Sequence, residues 1–382
     1  MSIIESFQIA VPQADIDDLH RRLDHARWPE AEPVDDWSQG VPLAKVRALC
    51  DYWRNGYDWR RCEARLNALG QYRTEIDGLQ IHFMHVRSPH PDALPLLLTH
   101  GWPGSIIEFL KVVGPLSDPT AHGGRAEDAF HLIIPSLPGY GFSGKPAETG
   151  WNVERAARAW AILMDRLGYD RYVAQGGDWG SAVTTKLGAL APAGLAAIHL
   201  NLVSAFPDPS DQSDWTAEEK GYWASFAAFQ KEETGYSTEQ MTRPQTIGYS
   251  LVDSPVGQAA WIYEKFHAWT DCGGDPENIL SVDEMLDNIS VYWLTGSGAS
   301  SARLYWESLA TTFLPTKVLV PTGCSIFPKE ILRASRRWVE RNYPNIVHWN
   351  ELDRGGHFAA FEQPELFTSE VRACFRPFQQ VR

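Results

Sequence analysis

The segment Gly176-Gly177-Asp178-Trp179-Gly180 constrains this chain more than any other. It has the small-x-nucleophile-x-small form of a sharp strand-to-helix turn, with aspartate where serine is the more familiar nucleophile. Residues 171–175 before it read as a short buried strand, and residues 181–187 after it can begin a helix. Glycine is needed at 176 and 180 because so tight a turn brings strand and helix too close for larger side chains. The aspartate would stand in a strained backbone conformation at the strand's end, exposed to a pocket. A carboxylate placed there attacks carbon directly and becomes an ester. It needs no base to take a proton first, so it suits alkylating substrates such as epoxides and alkyl halides. The competing reading is an ordinary Gly/Asp turn, and the rest of the chain decides between the two.

Apolar runs at 95–99 and 130–135, the alternating run at 81–86, and runs at 196–203, 317–321 and 346–349 read as strands. A helical segment over 153–167 and a terminal helix from Pro364 lie among them. Buried strands alternating with helices predict an α/β fold, a mostly parallel sheet covered by helices on both faces. The first 75 residues look helical and irregular. Ile16, Leu19, Leu23 and Ala26 recur at helical spacing after Pro12, and Leu43, Val46, Leu49 and Trp53 form a second amphipathic stretch. Residues 206–310 break the alternation. They are aromatic and helix-leaning, begin with Pro207-Asp208-Pro209-Ser210, and read as an inserted lid. The expected organisation is an N-terminal segment (1–75), a catalytic domain from 76–205 and 311–382, and a lid at 206–310. Ligands of such sheets bind at the carboxyl ends of the strands, where the loops carrying Trp102, Asp178, Glu330 and His357 would meet.

An aspartyl ester must be hydrolysed. That requires a base for water, an acid to orient the base, and donors for the oxyanion. His357, in Arg354-Gly355-Gly356-His357-Phe358, follows the last strand, and its glycines let the loop project inward. The acid should lie between nucleophile and histidine in the chain. Glu330 follows the penultimate strand and qualifies. Asp353 and Glu351 are rivals, but they sit too near His357 along its own strand and loop to approach the imidazole from behind. His100-Gly101-Trp102-Pro103 occupies the place of an oxyanion loop, so the backbone N–H groups of Trp102 and Trp179 are the expected donors. His100 itself reads as structural. His82 and His85 form an H-x-x-H, but in a strand they point to opposite faces, which argues against a metal site. The glycine-rich 139–144 segment lacks the lysine and helix of a phosphate loop and reads as a loop beside the pocket.

Composition narrows the partners. The 382 residues carry a formal charge of -14, which argues against nucleic acid and anionic membranes. Five scattered cysteines without a C-x-x-C pair read as reduced thiols of a cytoplasmic protein. Residues 1–10 resemble neither a signal peptide nor a membrane anchor. Sixteen tryptophans, several in presumed pocket segments, suggest an aromatic-lined cavity.

Taken together, the residues resemble the microsomal-type epoxide hydrolases of the α/β-hydrolase fold over nearly the whole chain. The resemblance rests on His-Gly-Trp-Pro-Gly-Ser at 100–105 and the elbow at 176–180. It rests also on Asp253-Ser254-Pro255-Val256-Gly257, Glu264-Lys265-Phe266, Tyr292-Trp293, Pro321-Thr322-Gly323 and the run 354–362. It implies Asp178 as nucleophile, His357 as base, Glu330 as charge-relay acid and two lid tyrosines on the epoxide oxygen. Tyr305 and Tyr236 match these, with Tyr249 as an alternative to Tyr236. It implies a small-molecule epoxide as partner, which the aromatic-rich pocket suggests is bulky or aromatic, with no metal or organic cofactor and a homodimer left open. Mammalian members carry a membrane anchor before the N-terminal segment, whereas this sequence opens on that segment. The expectation is an unanchored, bacterial-type enzyme whose N-terminal segment has no independent function. The alternatives are a haloalkane dehalogenase, which shares the aspartate but needs halide-binding N–H donors, and a non-catalytic binding protein of the same fold, which has no need of all three of Asp, Glu and His.

Overall fold

The computed structural model describes residues 4–207, 209–210, 212–312 and 314–379. Residues 1–3 and Asp208, at the expected start of the lid, lie outside them. Among the described residues nine strands form one sheet: β1 (Glu5–Phe7), β2 (Gln71–Ile76), β3 (Leu79–Val86), β4 (Leu94–Thr99), β5 (Phe130–Pro135), β6 (Tyr172–Gly176), β7 (Leu195–Leu200), β8 (Thr322–Ile326) and β9 (Ile346–Glu351). Their order is β1-β2-β3-β5-β4-β6-β7-β8-β9. The three pairings from β1 to β5 are antiparallel, and the five from β5 to β9 are parallel. The strands β4 and β5 are apolar almost without interruption and fully or nearly fully buried, as strands covered on both faces must be.

The helices in chain order are α1 (Gln13–Asp24), α2 (Leu43–Asn55), α3 (Trp59–Asn67), α4 (Val113–Ser117), α5 (Val153–Arg166) and α6 (Asp178–Leu190). Six more, α7 (Ala217–Glu232), α8 (Gly235–Thr242), α9 (Pro244–Asp253), α10 (Pro255–Trp269), α11 (Val282–Leu294) and α12 (Gly298–Thr312), make the segment between β7 and β8. The last are α13 (Arg336–Glu340), α14 (Ala359–Glu362) and α15 (Pro364–Phe375). Strand order reverses at β4, with β5 on one side and β6 on the other. Right-handed crossovers therefore send α4 and α5 to opposite faces and open a crevice beyond the carboxyl ends of β4 and β6.

Local sequence explains the helix starts in the inserted segment. Thr216 and Glu219 form a reciprocal capping box before α7, and Ser281 and Glu284 form another before α11. Ser254 accepts from the Gly257 N–H, and Pro255 opens α10 where a missing N–H costs nothing.

The N-terminal helices are locked to that segment. Trp53, fully buried, donates from Nε1 to Ser290 Oγ at 2.9 Å. The buried Asp287 on α11 receives the Tyr57 hydroxyl at 2.8 Å and the Arg61 guanidinium at 2.9 Å. The Arg22–Asp253 and Lys45–Asp275 pairs bridge the same two regions. These last are partly exposed and worth at most about 1 kcal/mol each, so the buried contacts carry the docking.

Three expectations shift. The run 317–321 is not a strand: Leu319 is 67% exposed there, and the strand is the less apolar Thr322–Ile326. Gly323 is what seats it, since a methyl group there would fall 2.2 Å from Cys374 Sγ of α15. The boundary at 75 falls inside β2, and with β1 paired to β2 the first segment extends the sheet. The boundary at 310 falls inside α12.

The elbow is as tight as its glycines demand. A methyl group on Gly176 would lie 2.1 Å from the Gly180 carbonyl oxygen, and one on Gly180 would lie 1.9 Å from that of Thr99. Both obstacles are backbone. Gly180→Ala is therefore expected to cost about 1–3 kcal/mol or more, as overpacking does. It should show as a lower urea midpoint with an unchanged slope. An unchanged midpoint would mean that helix and strand are not in fixed contact.

Candidate active site

Asp178 is the first residue of α6 and has φ +49°, a left-handed conformation that a non-glycine residue adopts at a cost. The turn lifts its carboxylate out of the sheet. One oxygen, Oδ1, accepts from the Trp102 backbone N–H at 2.6 Å. The other, Oδ2, lies 3.3 Å from His357 Nε2. Trp102 reaches it because Gly101 has no side chain: a methyl group there would overlap the Asp178 carboxylate. The Trp179 N–H belongs to the first turn of α6, whose N–H groups have no acceptor within the helix. The Trp102 N–H thus holds the carboxylate directly, while Trp179 follows Asp178 at the start of the helix.

His357 stands on the loop after β9. Gly355 has φ +97°, a region that side chains rarely tolerate, and its carbonyl accepts from Lys329 N. The His357 N–H donates to the Trp269 carbonyl at 2.8 Å, which ties the loop to the end of α10. The imidazole Nδ1 donates to Glu330 Oε1 at 2.6 Å, and the same oxygen accepts the Ile331 N–H at 2.8 Å. Both side chains are buried. Burial alone would push the imidazole pKa down. The Glu330 charge, the bonds to Asp178 and Glu330, and the Asp178 charge outweigh it and hold the value well above the ordinary one. The rival acids lie elsewhere: Asp353 is exposed and pairs with Arg354, and Glu351 accepts from Trp349 Nε1.

A cavity of about 280 Å³ opens from Asp178. Tyr236 of α8 and Tyr305 of α12 both line it, with ring centroids 5.8 Å apart and planes at 82°. Tyr236 stacks on Trp102 at 5.1 Å, and Tyr305 stands edge-on to Trp179 at 4.8 Å. Each tyrosine is therefore braced by a tryptophan beside Asp178: Trp102, which donates to its carboxylate, or Trp179, which follows it in the chain. Burial, with the Asp178 charge adding to it, pushes both phenols well above the ordinary value, so they remain protonated donors. Tyr249 is 68% exposed on α9 and does not line the cavity.

The cavity is lined by the rings of Trp179, Phe229, Tyr236 and Tyr305, though tryptophan supplies only one of them. Of the tryptophans only Trp179 lines it, and Ser204, Thr234, Ser237 and Thr238 share the wall with aliphatic side chains. Trp53, Trp59 and Trp160 are core residues, and Trp223 and Trp338 pack edge-on or tilted against Trp215. A high tryptophan count here reflects packing, not the cavity.

The remaining histidines of interest are structural in geometry. His100 is buried, its Nε2 accepts the Leu137 N–H at 3.1 Å, and its Nδ1 faces the Gly101 carbonyl at 3.0 Å. Burial lowers its pKa to about 4, so it stays neutral and shapes the loop that carries Trp102. His82 bonds Ser136 and Gln71, and His85 bonds Tyr169. Among the described residues no group of three or more His, Cys, Asp and Glu side chains is placed to hold a metal ion. Gly139 and Tyr140 of the glycine-rich loop bond Ser300 and Ser301 of α12, so that loop braces the helix carrying Tyr305.

Two carboxylates at the site escaped the sequence reading. Glu362 accepts the N–H groups of Phe358 and Asp271, at 3.1 and 2.9 Å, and so fastens the histidine loop to the end of α10. Glu108 lies in a small second cavity with Asp178 and His357. Both stand within the sequence runs named above or just beyond them, but nothing in their spacing separates them from surface acids.

The Epoxide hydrolase N terminus family matches residues 4–109, and the alpha/beta hydrolase fold family matches residues 95–245. A Stigmatella aurantiaca protein provisionally named an epoxide hydrolase is 61% identical over 98% of this chain and 85% of its own. Epoxide hydrolase 1 of Sus scrofa is 38% identical over 97% of this chain and 88% of its own. Among solved structures, the epoxide hydrolase of Aspergillus niger is 34% identical, with a TM-score of 0.88 over 98% of this chain and 96% of that one. The juvenile hormone epoxide hydrolase of Bombyx mori is 30% identical, with a TM-score of 0.90 over 99% and 95%. With the α/β-hydrolase fold and these relatives along nearly its whole length, the chain belongs to the epoxide hydrolase family, whose members are hydrolases acting on ether bonds.

Proposed function

We propose that this chain opens an epoxide by attack of Asp178 and then hydrolyses the resulting ester, releasing a vicinal diol. The observation that carries the reading is the Asp178 carboxylate itself. One oxygen is clamped by the Trp102 N–H, the other faces His357, and the carboxylate opens on a cavity that two phenols share. In the first half-reaction Tyr236 and Tyr305 donate to the epoxide oxygen while an Asp178 oxygen attacks carbon and the carbon–oxygen bond breaks. In the second, His357, oriented by Glu330, takes a proton from water, and the water oxygen adds to the Asp178 carbonyl carbon. The N–H groups of Trp102 and Trp179 hold the oxyanion. Collapse expels the diol oxygen, which takes its proton from the imidazolium, and the second water proton, left on the Asp178 carboxyl, returns to His357.

Electrostatics supports this order. The two flanking carboxylates keep His357 protonated before reaction. Ester formation removes the Asp178 charge, so the imidazole pKa falls, its proton passes to the new alkoxide, and a free base remains when water must be activated. The dehalogenase alternative needs N–H donors for a halide, whereas the paired groups lining this cavity with Asp178 are phenols. The cavity size and the rings of Trp179, Phe229, Tyr236 and Tyr305 support a bulky or aromatic epoxide. We further read residues 206–310 as a lid on residues 76–205 and 311–382, with 1–75 packed against both. No helix of the described residues is long and apolar enough to cross a membrane. The five free, buried thiols support a cytoplasmic site of action.

Single Phe replacements of Tyr236 and Tyr305 should each slow alkylation and leave ester hydrolysis largely intact. The double variant should lose about 100-fold or more in ring opening, within the usual range for positioned acids. Stopped-flow tryptophan fluorescence with styrene oxide reads the alkylation step. Normal alkylation in Tyr236→Phe with slow alkylation in Tyr249→Phe would reassign the second phenol.

His357→Gln should alkylate and then stall, so the protein gains the mass of one intact epoxide and peptide mapping puts it on Asp178. Glu330→Gln should slow hydrolysis more than alkylation. If it hydrolyses the ester normally and Asp353→Asn does not, the acid is Asp353.

A further inference from the structure

Behind Asp178, on the β4–β6 side, lies a second and much smaller cavity of about 20 Å³. Asp178 and His357 line it together with Glu108, Thr99, Gln175 and Asn201. A single water needs about 10–15 Å³ on this measure and two to four polar partners. The walls supply them. Thr99 Oγ1 and Gln175 Oε1 have no hydrogen-bond partner among the described residues, although Thr99 is 0% and Gln175 1% exposed. Gln175 Nε2 is held by Asn201 Oδ1 at 2.7 Å, which fixes the orientation of its free oxygen. Two orphaned buried oxygens on one small cavity are costly unless something donates to them.

Glu108 is built into the same wall. A methyl group on Gly104 would fall 1.4 Å from Glu108 Oε1, so the glycine after Pro103 makes room for this carboxyl to fold back over the loop. Burial pushes the acid up to about 8. The His357 charge opposes this, the Asp178 charge adds to it, and the N–H groups of Ser105 and Gly101 oppose it. Glu108 therefore carries its proton at neutral pH and can both donate and accept a hydrogen bond.

We infer that this cavity seats the water that hydrolyses the Asp178 ester, and that Glu108, with Thr99 and Gln175, holds that water for His357. The inference rests on the ester mechanism proposed above. The seated water gives its proton to His357 Nε2, and its oxygen bonds to the Asp178 carbonyl carbon. The carbonyl electron pair moves onto the oxygen held by the Trp102 N–H. Collapse then breaks the bond to the diol oxygen, and the imidazolium returns the proton to it. Nucleophilic water thus approaches from behind Asp178, while the alkyl chain stays in the large cavity in front. Glu108 is a positioning residue in this scheme.

The test separates the two half-reactions in single turnovers of styrene oxide, followed by tryptophan fluorescence and by the mass of the ester. Thr99→Val is isosteric and removes an unpaired hydroxyl, so the fold should be as stable or more so, yet hydrolysis should slow about 3- to 10-fold with alkylation little changed. Glu108→Leu should slow hydrolysis about 10- to 100-fold more than alkylation. Glu108→Gln, neutral and able to donate and accept, should recover most of what Glu108→Leu loses. Normal hydrolysis in Thr99→Val overturns the inference. So does an equal loss of both half-reactions in Glu108→Leu, which would make Glu108 only a brace for the Trp102 loop, and so does a Glu108→Gln variant as slow as Glu108→Leu. Those outcomes leave the ester intact. If no ester forms in any variant or in the unmodified protein, the mechanism itself fails and this inference with it.

Discussion

The close approach of α6 to β4 and β6 is the constraint on which the site depends. Side chains at 176 or 180 would overlap backbone carbonyls, so only glycine lets the helix start where it does. That start forces Asp178 to positive φ and turns its carboxylate toward Trp102 and His357. The strain is a local cost of order 1–3 kcal/mol, sustained by the buried sheet on either side. Because strand order reverses at β4, the loops after β4 and β6 part there and leave a crevice at the nucleophile.

Around this fixed point the segment between β7 and β8 and the histidine loop behave as one assembly. The end of α10 supplies the carbonyl of Trp269 to the His357 N–H and the Asp271 carboxylate to the Gly355 N–H. Glu362 binds N–H groups from both sides of that junction. The phenols on α8 and α12 are braced by Trp102 and Trp179, so the groups proposed to meet the epoxide oxygen share supports with those proposed to meet the oxyanion. A substitution that shifts either tryptophan should therefore disturb both half-reactions, which makes them poor probes of either alone.

The fold was legible in the chain where its physics is local. The runs at 95–99 and 130–135 could only be buried strands, and Gly-x-Asp-x-Gly admits few turns. The strand at 322–326 was missed because Thr-Gly-Cys-Ser-Ile is less apolar than the loop before it. Its strand character comes from pairing with β7 and β9 and from Gly323 against Cys374. Likewise β1 and β2 gain their place from partners outside any local window. At the site, Asp178, His357 and Glu330 followed from chain order and loop position, and Tyr236 and Tyr305 from resemblance. Glu108 and Glu362 were invisible because their importance lies in burial and in the N–H groups they face, which no spacing announces.

The covalent role of Asp178 is the central claim, and isotope labelling tests it most directly. A single turnover in heavy-oxygen water should leave the label in the Asp178 carboxylate and none in the first diol released. Water then attacks the ester carbonyl, and the diol departs with an oxygen that belonged to the aspartate. Label in the first-turnover diol, with none on Asp178, would mean that water opens the ring itself and that Asp178 acts as a general base.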